Sequence, residues 1–284
     1  MPDDGSAVAA TAIPRIEEPR VNLGPAWRYG YGLFITLLYV FLLLPILIVV
    51  FASFSPDQRS TYAISQASLR WYRDFLENDS FLSAFKFSLW LGAVAAVLAT
   101  TIGFLTAYAL VRHLGRARNV AQSLTMLPMM VPHIIISLSL LFALNFVSVP
   151  ELWVLVVGHV MICLPFTIAG IIASLESVDP DLEAAAHTLG ASRLRVLAEV
   201  TVPLIAPGVL SALIFAFIIS FGDVYMALFL SGPNMTTLPV EIFAFISWES
   251  SPVVAAITTL QILLIIVFGL VVERLVGLRT AMRL

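Results

Sequence analysis

Six apolar runs, each about as long as a bilayer's hydrocarbon core is thick, decide what this chain can become. They cover 31–53 and approximately 84–111, 121–146, 152–174, 204–230 and 253–276. About 20 apolar residues cross the core as a helix. Lipid offers no hydrogen-bond partner to the backbone, so only helices or closed barrels can span. The runs lack the alternation of barrel strands. An all-α integral membrane protein with six transmembrane helices is therefore expected. Composition agrees: 60% of residues are hydrophobic, 12% are charged and the mean hydropathy is +0.99, whereas soluble domains carry about twice that charged fraction. The first run starts late and is too long for a signal-peptide core. Residues 1–29, polar and rich in proline and carboxylates, read as a disordered tail ahead of a transmembrane domain over 30–284.

Arginine sets the expected orientation. With the N-terminus inside, eleven basic residues face the cytoplasm (Arg15, Arg20, Arg28, Arg112, Arg116, Arg118, Arg193, Arg195, Arg274, Arg279 and Arg283) against four outside (Arg59, Arg70, Arg73 and Lys86). Both termini and the 112–119 and 175–203 loops are thus expected inside. The run Leu-Arg-Trp-Tyr-Arg at 69–73 reads as a short interfacial helix with Trp71 and Tyr72 at headgroup level. Pro45, Pro128, Pro132, Pro165 and Pro207 fall inside spans and read as kinks. Pro128 and Pro132 shape a cavity wall or are simply tolerated; the residues favour neither. Cys163, the single cysteine, reads as a packing residue.

The 175–203 insert is more elaborate than a connection needs. Asp179-Pro180 is a helix start, aspartate as cap and proline at the first helical position. Gly190 permits a left-handed backbone, and Ser192 can cap a second helix running to about Glu199, with Pro203 marking entry to the fifth span. Leu182, Ala185, Ala186 and Leu189 share one helical face. Charged neighbours keep that face from entering lipid, so it reads as a docking surface for another protein; an amphipathic helix on the inner leaflet is the alternative.

The stretch Glu-Ala-Ala-Ala-His-Thr-Leu-Gly-Ala-Ser at 183–192, followed by Val-Thr-Val-Pro at 200–203, resembles the coupling loop of bacterial ABC importer permeases. That family sets its glutamate six residues before the glycine, a position held here by Ala184, with Glu183 one residue earlier. Further segments resemble the second permease of spermidine/putrescine-type importers. They are Leu-Pro-Met-Met-Val-Pro at 127–132, Ser-Phe-Gly-Asp-Val at 220–224, Leu-Ser-Gly-Pro at 230–233 and Thr-Leu-Pro-Val-Glu-Ile at 237–242. The resemblance implies a type-I ABC importer permease fold. It also implies that Glu183, Ala184, Ala185, Ala186, Leu189, Gly190, Ala191 and Pro203 couple this chain to an ATPase.

The resemblance further implies a set of partners: a second homologous permease, two P-loop ATPase subunits carrying ATP and Mg, a periplasmic or extracellular solute-binding protein, and the bilayer, with no nucleic acid. This chain itself binds no cofactor: Lys86, the only lysine, lacks the glycine pattern of a phosphate-binding loop. The four histidines (His113, His133, His159 and His187) lack metal-ligand spacing. No catalytic triad can be assembled, so the chain is not an enzyme.

Ionisable groups at membrane depth are functional candidates. Asp223 matches the second residue of an acidic pair in polyamine permeases, with Gly222 at the first, and is expected to meet a cationic substrate or a gate partner. His133 stands where polyamine members often carry an acid, and can hydrogen-bond a substrate. Phe221 and Tyr225 (and Trp248 beyond them) offer cation–π faces. His159, Asn145 and Glu151 read as structural or interfacial. The expected function is uptake of a small solute, a polyamine first, with an aminoalkylphosphonate, opine or amino-acid-like compound as alternatives. A secondary transporter is the rival class.

Overall fold

A computed structural model describes residues 25–56, 67–144, 146, 149–249 and 251–281. Most of the expected tail, with Arg15 and Arg20, lies outside these residues, as do Arg59, Asn145 and Arg283. The described residues are helical, with no strand among them. Helix α1 (Pro25–Ala52) begins within the segment assigned to the tail, carries Arg28 near its start and is almost entirely apolar from Leu33 on. Residues up to Ile48 form one unit and those from Val49 another.

The second unit is built on three helices: α3 (Asp79–Arg112), α7 (Glu151–Glu176) and α10 (Val202–Gly222). Asn78 caps α3 by accepting from the Phe81 amide at 3.1 Å, while Asp79 and Arg112 complement the helix dipole at the two ends. A small-residue stripe (Gly92, Ala95, Ala96, Ala99, Gly103 and Ala107) lies buried along α3. Without a hydrophobic drive between helices in lipid, such stripes let backbones approach and make van der Waals packing the glue. The approach is close enough that a β-carbon on Gly103 would overlap the Thr167 side chain of α7, and one on Gly208 of α10 would overlap Ser174. Polar atoms lock the same seams. The Thr167 hydroxyl donates to the Ala99 carbonyl at 3.1 Å and the Cys163 thiol to that of Ala216 at 3.3 Å. Cys163 is buried, as a packing residue should be.

Two expected spans are not single helices. The third consists of α4 (Arg118–Thr125) and α5 (Leu127–Met130), then a break, then α6 (His133–Leu144). The segments on either side of that break meet at 91°. Pro132 crowds the residue before it out of the helical region and offers no amide, and Val131 accordingly sits at φ −92°, ψ 127°. This is a break and not a kink. Pro45, Pro165 and Pro207, by contrast, lie inside continuous helices. The fifth expected span ends at Gly222. Asp223 is extended, and a separate helix α11 (Tyr225–Leu230) follows, packed on α6 and α7.

At the end bearing the longer connections, α2 (Arg70–Glu77) forms as expected, with Trp71 buried and Tyr72 partly buried. Trp71 is buried and donates its indole N–H to the Ser55 carbonyl at 2.7 Å, and the Tyr72 hydroxyl pairs with that of Ser53 at 2.7 Å. An indole whose N–H finds a carbonyl can be buried without penalty. The Gly232–Met235 turn closes with a 3.1 Å hydrogen bond, Asn234 holding φ 63° at its third position. It leads to α12 (Leu238–Ile246), whose first amide donates to the Ser88 hydroxyl of α3 at 2.7 Å. The last span, α13 (Val253–Ala281), packs on α10 and α2.

Candidate functional site

Polar side chains converge at both ends of α10. Before its start, α8 (Pro180–Thr188) is capped by Asp179, which accepts from the Asp181 amide at 2.9 Å. It ends at Gly190, φ +87°. There the Ala191 amide reaches the Ala186 carbonyl at 3.1 Å and the Gly190 amide the His187 carbonyl at 3.0 Å, the paired pattern of a Schellman terminus. The His187 ring closes the turn from outside. Its Nδ1 lies 3.1 Å from the Ala191 carbonyl, which only accepts, so Nδ1 carries the proton.

Ser192 then caps α9 (Arg193–Val196). The second helix does not stop near Glu199. A π-helical turn, Leu197–Thr201, carries it into α10, and 193–222 passes as one helix. Pro203 has no amide, and its ring would press on the carbonyl of Glu199; the wider turn removes that clash.

Exposure divides the eight residues assigned to coupling. Ala184, Ala185, Leu189 and Gly190 are exposed, Leu189 at 89%, while Ala186, Ala191 and Pro203 are partly covered. Ala186, Leu189, Gly190 and Ala191 line an open concavity of about 230 Å³ with Val196 and Val200. Glu183 faces the other way. Its Oε1 accepts from Arg112 Nη2 at 3.2 Å, Arg112 Nε at 3.3 Å and the Thr201 hydroxyl at 3.0 Å. It ties α8 to the end of α3 and to the π turn, and offers nothing outward. Arg112 and Thr201 could not be found from sequence, since nothing in the spacing links them to Glu183. A second ion pair, Arg118 with Glu176, holds α4 to the end of α7.

Beyond the far end of α10, the structure brings two of the expected pathway residues together. His133 Nδ1 lies 2.8 Å from Asp223 Oδ2. The other carboxylate oxygen, Oδ1, accepts from the Met226 amide at 2.7 Å and starts α11. Asp223 is 7% exposed, and the His133 side chain is 33% exposed. Each therefore stands at a break: His133 opens α6 after Val131-Pro132, and Asp223 separates α10 from α11. One turn back, Ser220 Oγ meets His159 Nδ1 at 2.9 Å, and the Ser220 carbonyl accepts from the Asp223 amide.

His159 is fully buried, in keeping with a structural role. The Phe221 ring is 2% exposed, stacked on Phe217 and edge-on to Phe85. It packs against α3. Tyr225 is half exposed. Among the described residues no cluster of histidine, cysteine, aspartate and glutamate could hold a metal ion.

Residues 99–279 match the family of binding-protein-dependent transport system inner membrane components, and the chain belongs to that family. It is 34% identical over 234 residues to the spermidine/putrescine transport system permease protein PotC of Haemophilus influenzae, across 81% of this chain and 90% of that one. The putrescine transport system permease protein PotI of Escherichia coli is 33% identical over 250 residues, 84% of this chain and 88% of the other. A solved bacterial ABC transporter that imports the acidic polysaccharide alginate shares the fold at a TM-score of 0.66 and 18% identity, covering 89% of this chain and 98% of that one. The MetNI methionine transporter does so at 0.58 and 15%, covering 71% and 99%. The chain is thus a non-catalytic, multi-pass inner-membrane permease subunit of an ABC importer with the type-I fold. The rival secondary transporter falls with that assignment. ATP hydrolysis belongs to separate subunits.

Proposed function

We propose that this permease carries a polyamine of the spermidine/putrescine kind into the cell. The observation that carries the reading is the one-third identity, along more than four-fifths of the chain, to permeases named for those substrates. The chemistry of Asp223 agrees with it. A carboxylate at membrane depth is costly unless it meets a cation or lines a solvated path, and amines of this class are cationic. In this reading Asp223 and His133 lie on the substrate path with Tyr225 at its edge, and Phe221 supports them from the core.

The rest of the machine follows from the family. A second permease pairs with this one, two P-loop subunits hydrolyse Mg-ATP, and a solute-binding protein delivers cargo. The arginine bias puts both termini and the 179–203 loop in the cytoplasm. There the exposed face of Ala184, Ala185 and Leu189, with the concavity beside Gly190, meets the ATPase. Glu183 transmits its movement to α3 and α10. An element that both ATP and substrate bias is the physical content of coupling.

The test is uptake by the complete transporter in proteoliposomes. Putrescine or spermidine should enter in an ATP-dependent manner and stimulate hydrolysis. An aminoalkylphosphonate, an opine or an amino acid should do so at least tenfold less. Stimulation by one of those alone would overturn the polyamine reading and leave the family assignment standing.

A further inference from the structure

We propose that His133 is an internal competitor for the cation site on Asp223, and that a substrate ammonium must displace it to pass. The inference rests on the reading of Asp223 as a pathway carboxylate and adds how the site is guarded.

Three observations carry it. First, the two oxygens of Asp223 are not equivalent. Oδ1 is committed to the Met226 amide, and the Asp223 amide to the Ser220 carbonyl, so the residue is anchored. Only Oδ2 faces an exchangeable partner, the His133 ring at 2.8 Å. An ionised carboxylate only accepts, so Nδ1 is then the donor. The ring fills the place an ammonium N–H would take.

Second, the partners differ in burial: Asp223 is enclosed, while a third of the His133 side chain is open. The histidine can leave by rotation, and the aspartate cannot. Third, both residues sit where helices are interrupted. Half-helix ends and unwound carbonyls at membrane depth are where transport proteins place ion and substrate contacts, since irregular backbone survives there only inside protein or along a water-filled path. Asp223 also follows the carbonyl end of α10, whose dipole favours a cation.

Among the described residues Asp223 is the most deeply buried acidic side chain.

The experiment measures equilibrium binding of radiolabelled putrescine to the assembled permease–ATPase complex without its binding protein. Histidine variants are compared at equal amounts of complex. His133→Ala removes the competitor and should tighten the dissociation constant at least threefold. His133→Arg supplies a permanent cation and should weaken it at least tenfold, and Asp223→Asn should abolish binding. A merely structural histidine would weaken binding in both of its variants, so tightening in the alanine variant is the discriminating result.

If wild-type binding is too weak to detect, the alanine variant should reveal it. Failure to do so, or an unchanged constant, overturns the proposal. If Asp223→Asn binds and transports like the wild type, the pathway reading itself falls. If that variant is inactive but the histidine variants show no opposite shifts, only the competitor falls.

Discussion

Arg112 and Glu183, 71 residues apart in the chain, share an ion pair of 3.2 Å in which each side chain is only 12–13% exposed. The same carboxylate oxygen also holds Thr201, so one atom joins three elements. Removing one member leaves the other buried and uncompensated. Glu183→Ala should therefore cost about 3 kcal/mol, seen as a lower melting temperature of the purified permease. Glu183→Leu combined with Arg112→Met should recover most of that loss, because well-packed apolar replacements of a buried pair are often neutral. In transport, the single variant should hydrolyse ATP with poor coupling, uptake falling at least tenfold. Unimpaired uptake would remove Glu183 from the coupling path.

Gly190 adopts φ +87°, and a β-carbon there would meet nothing within 4 Å. The cost of substitution is thus confined to the backbone, roughly 1–2 kcal/mol for a β-carbon in the left-handed region. Gly190→Val should insert and assemble but lose uptake relative to ATP hydrolysis. Gly190→Asn, which tolerates this region, should be milder. Equal behaviour of the two variants in a coupled uptake and hydrolysis assay would show that turn geometry is not what matters.

The crossings of α7 with α3 and α10 depend on missing β-carbons. Gly103→Ala and Gly208→Ala should each destabilise by about 1–3 kcal/mol through overpacking. Gly170→Ala, whose new methyl would touch only Ala212 at 3.7 Å, should be neutral. Melting of the three variants in one detergent checks the contrast.

Trp71 is held by its 2.7 Å bond to the Ser55 carbonyl. Trp71→Phe keeps most of the ring but loses the donor. It should cost about 1 kcal/mol, together with some lost packing, and should leave ATP coupling unchanged. A loss of coupling with full stability would give α2 a role beyond anchoring.

Much of this was written in local sequence. Hydropathy located the spans, and the residue types at Asp179, Gly190 and Ser192 foretold the caps and the turn, because each obeys a rule set within four residues. The interruption at Val131-Pro132 was visible as prolines, but whether a helix bends or breaks depends on what packs against it. The inward aim of Glu183 and the burial of Trp71 and Phe221 depend on partners far along the chain, and no spacing encodes those. Asp223 and His133 were each suspect for their chemistry; their contact spans 90 residues and came only with the fold.

Residues 193–222 run as one helix, with a π turn and Pro207 on the way, from the exposed bend to the doorstep of Asp223. Thirty helical residues reach about 45 Å. A continuous helix of that length carries a tilt at its foot toward its head. A shift beside Gly190 is thereby led to where an aspartate and a histidine are separated by one hydrogen bond.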